Sequence, residues 1–131
     1  MDKTNDRTDN YYKNALVLAY LGDSVFSLYV REYLVTKYAC KSKGLNKLAN
    51  QVVCAKAQAE FMNKIMDSLT DTENDIVMRA RNSHLNSIAK NSTHEEYSLA
   101  TQFEAIIGYW YLNGEKDKIE RVFSDYVKER L

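Results

Sequence analysis

Apolar residues recur along the chain at intervals of three and four, the spacing that lines one face of an α-helix. A first short helix is predicted from about Tyr11 to Leu21, interrupted at Gly22. A second starts at Asp23 and runs to about Tyr38. Its apolar residues (Val25, Phe26, Leu28, Tyr29, Val30, Tyr33 and Leu34) nearly encircle it. A helix that is apolar on most sides is buried on more than one of them. The core accounts for one side, and a partner subunit could account for the other. From about residue 45 to 69, Leu45, Leu48, Ala49, Val52, Ala59, Met62, Ile65, Met66 and Leu69 keep helical spacing, with room for a break midway. Thr70-x-x-Glu73 reads as a capping box opening a helix through about Arg81. Asn82 to Thr93 is a polar loop, and Ser92-x-x-Glu95 and Thr93-x-x-Glu96 are alternative caps for the helix that carries Leu99, Phe103, Ile106, Ile107 and Trp110. Asn113-Gly114 is its stop signal. Residues 115–130 show a stripe of Ile119, Val122, Phe123, Tyr126 and Val127. The expected architecture is all-α, a bundle of six or seven helices.

Composition sharpens this picture. The 131 residues make one domain, 1–131, with residues 1–10 as a loose N-terminal segment, and there is no proline and only four glycines. Turn-rich β-sandwiches and barrels need both residues as punctuation and are excluded on that ground. Cys40 and Cys54 have no partner Cys or His at ligand spacing and read as reduced thiols. With no apolar run of membrane length and no signal-like N-terminus, the expected location is the cytoplasm.

Net charge is zero, but it is segregated. From Tyr33 to Ala59 there are five lysines, among them Lys56, and no acid; from Ile76 to His94 there are Arg79, Arg81 and Lys90, again with no acid. Two acid-free stretches can build a basic face on a neutral protein, although each is equally a solvated helix face.

Two carboxylates stand in unexpected places. Glu104 lies in Phe103-Glu-Ala-Ile-Ile-Gly-Tyr-Trp, and its own side of the helix holds Tyr97, Ala100, Thr101, Gly108 and Tyr111, none of them cationic. No local ion pair can therefore neutralise it, and something from elsewhere must, a metal ion or a distant donor. Asp23 lies in Leu21-Gly-Asp-Ser-Val-Phe, where an N-cap is the simpler reading. No Ser, Cys or His constellation competes for catalysis, since His84 and His94 fall in the polar loop with no periodic partner.

Leu18-Ala-Tyr-Leu-Gly-Asp-Ser-Val resembles the signature helix of the ribonuclease III catalytic domain, and Phe103-Glu-Ala-Ile-Ile-Gly-Tyr-Trp-Tyr-Leu resembles its second acidic motif. Between them, Val53-Cys-Ala-Lys-Ala-Gln-Ala-Glu and Arg79-Ala-Arg-Asn are similar to segments of the Mini-ribonuclease III branch, which lacks a double-stranded-RNA-binding domain. Lys90-Asn91 and Tyr97 also fall where that branch has them. The chain departs from full-length ribonuclease III in having Leu16, Ala19 and Thr101 where the latter carries further acids, a reduced set that it shares with the Mini branch.

The resemblance implies a ribonuclease III endonuclease-like helical bundle that cleaves double-stranded RNA as a homodimer. It implies Asp23 and Glu104 as catalytic residues and Mg2+ ligands, and maturation of a large-subunit (23S) ribosomal RNA precursor. Arg79, Arg81, Asn82, Lys90 and Lys56 are the candidate RNA contacts. A ribosomal protein cofactor is compatible with this role. The rival expectation is a catalytically inactive RNA-binding module of the same fold, serving ribosome assembly.

Overall fold

The computed structural model describes residues 10–11, 13–39, 41–83 and 94–130. These form α1 (Ala15–Lys37), α2 (Ser42–Val52), α3 (Ala55–Ile65), a single 3-10 turn (Met66–Ser68), α4 (Asp71–Asn82), α5 (His94–Leu112) and α6 (Lys116–Arg130). No strand occurs among the described residues, so the architecture is all-α as the periodicity predicts.

Several boundaries have a local cause. The Asn14 side chain accepts from the amides of Leu16 and Val17 and so starts α1. The break expected within residues 45–69 falls at Val53–Cys54. The Thr70–Glu73 capping box is closed in both directions: the Glu73 amide donates to the Thr70 hydroxyl (3.1 Å) and the Thr70 amide to the Glu73 carboxylate (2.9 Å). Helix α5 ends in a Schellman motif. Gly114, at φ +74°, donates to Tyr111 O, and Glu115 donates to Trp110 O.

One expectation fails. Gly22 does not interrupt the first helical region; α1 runs through it for 23 residues. Glycine weakens a helix interior by only about 1 kcal/mol, and here it gains a close crossing with α5.

Helix α5 is central, with its longest contact against α1 and further contacts with α3, α4 and α6. That explains why its sequence is apolar almost all round. Phe26, Phe61, Phe103 and Tyr126 pack ring to ring, with centroids 4.8–6.0 Å apart. The Tyr126 hydroxyl, fully buried, donates to Val52 O at 2.6 Å and ties α6 to the end of α2. Ion pairs of Arg130 with Glu60 and of Lys64 with Glu129 hold α6 against α3.

Asn10 is buried and donates to Leu112 O and Asn113 Oδ1, so the loose segment expected over residues 1–10 is tied down at its last residue. Residues 1–9 lie outside the described residues.

Candidate active site

Between Ser98 and Trp110 every residue of α5 is buried except Glu104, which sits at the edge of the core. Its position is set by the crossing with α1. A methyl group at Gly22 would overlap the Glu104 carbonyl and come within 2.8 Å of the Gly108 nitrogen; one at Gly108 would overlap the Leu18 carbonyl. The two helices thus touch main chain to main chain, and the residue after Gly22 is brought beside Glu104. That residue is Asp23, and the two carboxyl groups are close enough to share a hydrogen bond.

The capping role open to Asp23 in the sequence is removed by this geometry. Asp23 lies well inside α1, exposed on its surface, and the helix is capped by Asn14. What Asp23 faces is another acid. Burial first, then the Asp23 charge and the shared hydrogen bond, push the Glu104 carboxyl up to about 8, while the Gln58 side chain acts in the opposite direction. Among the described residues no Lys or Arg forms an ion pair with either carboxylate.

Two acids in contact without a cation, one recessed and one open to solvent, fit a hard divalent ion by charge and by donor chemistry. Among the described residues no set of three or more His, Cys, Asp or Glu is grouped to hold a metal unaided. Water or substrate oxygens would have to complete the shell of any ion held by the pair. The Thr101 hydroxyl donates to Tyr97 O within the helix.

Residues 16–115, which span this crossing, match the family model of the ribonuclease III domain. The chain belongs to the ribonuclease III family. It is similar to Mini-ribonuclease 3 of Brevibacillus brevis, with 42% identity over 93% of this chain and 91% of that one. The Staphylococcus aureus Mini-ribonuclease 3 is 35% identical over 93% and 94%. A crystal structure of a Fusobacterium nucleatum protein superposes with a TM-score of 0.84 at 32% identity, covering 92% of this chain and 96% of that one. This kinship makes the chain an endoribonuclease of the ribonuclease III type.

The expected RNA contacts fall into three groups. Lys56 on α3 and Arg81 and Asn82 at the end of α4 are exposed. Lys90 lies outside the described residues. Arg79 is turned inward: its guanidinium donates to Tyr11 O and Lys13 O, pairs with Asp75 at 3.3 Å and stacks over the Tyr11 ring at 4.8 Å. The Tyr11 hydroxyl completes the clasp by donating to Asp75. Arg79 therefore fastens the N-terminal segment to α4, with 33% of its side chain still exposed.

Sequence reasoning passes over Gln58. It is 3% exposed on α3, and its Nε2 has no hydrogen-bond partner. The available signal was an amide on the buried face of α3 beside Phe61 and Met62.

Proposed function

We propose that this ribonuclease III-type enzyme is a metal-dependent endonuclease for double-stranded RNA, with Asp23 and Glu104 as the catalytic pair that binds Mg2+. The observation that carries the reading is the meeting of the two carboxylates at the Gly22–Gly108 crossing with no cationic partner among the described residues. When bound, Mg2+ would supply Lewis acidity toward the scissile phosphate and acidify a water for attack. Asp23 offers its oxygens at the surface where a duplex can approach. Glu104, recessed behind it, gives up its proton when a cation takes the place of that proton. Two carboxylates suffice because Mg2+ usually takes one or two from the protein and fills its shell with waters and phosphate oxygens.

A duplex has two strands, and a two-fold dimer presents two such sites. The surface that supports pairing is a stripe on α1 of Val17, Tyr20, Leu28 and Val35, which are 57%, 82%, 65% and 64% exposed. The side of α1 that bears Val25 faces the core instead, Val25 being 6% exposed. Leu28→Glu should therefore give folded monomers in ultracentrifugation, whereas Val25→Glu should damage the fold. A wild type that is monomeric at micromolar concentration would sink the dimer.

Arg81, Asn82 and Lys56, with Lys90 on sequence alone, are the proposed contacts to phosphates and 2′-hydroxyls, which are read by shape across the minor groove. Kinship with the Mini-ribonuclease 3 proteins supports a precursor of large-subunit (23S) ribosomal RNA as substrate, in the cytoplasm, with a ribosomal protein as a compatible cofactor. No helix among the described residues is long and apolar enough to cross a membrane.

The test is cleavage of a duplex RNA with Mg2+, and with EDTA as control. Asp23→Asn and Glu104→Gln keep shape and remove charge. Each should lower cleavage by more than the roughly 10–100-fold that loss of an outer-shell partner costs, with folding intact. Normal cleavage by Asp23→Asn would reject the site. A wild type that binds duplex RNA but never cuts it would favour the inactive RNA-binding module.

A further inference from the structure

Gln58 is a buried polar side chain without an account. It stands on α3, which packs along α5, and its residue surface is 3% exposed. Its Nε2 is sealed from solvent and makes no hydrogen bond. Leaving a buried donor unmade is costly, so a core that tolerates one has either a defect or a use for it. The neighbourhood distinguishes these. The Gln58 side chain reaches the Glu104 carboxyl from α3. Asp23 approaches the same carboxyl from α1, on the solvent side. Glu104 is thus held between an acid on one helix and an amide donor on another.

We propose that Gln58 is the positioning residue of the site: its Nε2 donates to one Glu104 oxygen when a cation is bound, which would leave the other oxygen free for the ion. The proposal rests on the reading of Asp23 and Glu104 as a metal-binding pair. An amide suits the task better than Lys or Arg. It orients a carboxylate through directed N–H donors without cancelling the charge that attracts the cation. A short hydroxyl on α3 would lack the reach of the three-bond Gln side chain.

A purely structural Gln58 and a positioning Gln58 differ in what its removal does. Gln58→Leu deletes the donor at similar volume. In the cation-free protein its melting temperature should equal or exceed that of the wild type, because an orphaned donor has gone. Its Mn2+ dissociation constant, measured by calorimetry or by the EPR signal of free Mn2+, should rise by roughly 10–100-fold. In duplex cleavage, kcat should fall while KM for the RNA stays put. Gln58→Met, an unbranched apolar alternative, serves if the leucine packs badly. Independently of any variant, the Gln58 side-chain amide protons of the wild type should move downfield in NMR when Mg2+ is added. Unchanged Mn2+ affinity and kcat in a folded variant, or amide resonances indifferent to Mg2+, would overturn the proposal for Gln58 alone. A wild type that binds no Mn2+ would remove the metal-binding pair and this proposal with it.

Discussion

Glu73 in the first turn of α4 and Glu104 in the middle of α5 are both drawn into the protein, and their surroundings are opposites. Glu73 receives the Thr70 amide on one oxygen, and the Trp110 indole (2.8 Å) and the Lys118 ammonium on the other. Burial alone would raise its pKa, yet these donors outweigh burial and hold it below the ordinary carboxylate range. Glu104 is pushed up to about 8 by burial and by the Asp23 acid beside it. The first glutamate is complete within the fold. The second has no cationic partner among the described residues, the imbalance that the proposed metal ion would make good.

Exchanging charge for amide at the two positions is the strongest way to break the comparison. Glu104→Gln should cost little stability, or add some, and remove cleavage. Glu73→Gln should do the reverse. With a donor placed against Lys118 and Trp110, unfolding free energy should drop by about 2–3 kcal/mol, while the folded fraction still cuts RNA. Chemical denaturation and cleavage assays on both variants decide this, and similar losses in both assays at both sites would dissolve the distinction.

The pH dependence should separate them next. Glu73 has a folded pKa below its ordinary 4.5, so the stability it contributes is present above that pH and lost as pH falls through the folded value. Glu104 has the opposite sign: its contribution is present below about 4.5 and lost as pH rises from there through about 8 in the metal-free protein. Melting curves in EDTA from pH 4 to 9 should therefore sag at both ends. Glu73→Gln should flatten the acid side and Glu104→Gln the alkaline side. Added Mg2+ should lift the alkaline side of the wild type and of Glu73→Gln but not of Glu104→Gln.

The smallest effect concerns one donor. Trp110→Phe removes a single hydrogen bond to Glu73 and leaves the Thr70 and Lys118 contacts, so it should cost about 1–2 kcal/mol with cleavage unchanged. A loss as large as that of Glu73→Gln would mean that the indole, not the ammonium, holds the corner together.

The sequence shows these two glutamates unequally, for a physical reason. The Thr70–Glu73 box is an interaction over three residues and is written in the chain itself. That Glu104 lacks a local cation is equally readable from its helical neighbours. That Asp23 meets it is not, because a contact between α1 and α5 leaves no trace in local spacing. Gly22 misled for a related reason: glycine is the ordinary signal of a helix end, whereas here it clears space for another backbone. An all-round apolar helix also conceals which side faces inward: Val25 is buried and Leu28 is left outside. Arg79 is bound chiefly by the carbonyls of Tyr11 and Lys13, partners with no side-chain signature. The polar loop from Asn82 and its alternative caps at Ser92 and Thr93 fall largely outside the described residues.

Because α1 and α5 touch through peptide groups at Gly22 and Gly108, the spacing of the two acids is gauged by bond lengths and atomic radii that are the same in every protein. Side chains elsewhere can swell or shrink without moving that gauge. In the Phe26–Phe61–Tyr126 cluster, Phe26 and Phe61 stand on the helices that carry Asp23 and Gln58, so a redesign of that cluster for heat tolerance would have to leave the crossing itself untouched. Two absent methyl groups, by contrast, make a tolerance that no compensating change nearby could restore.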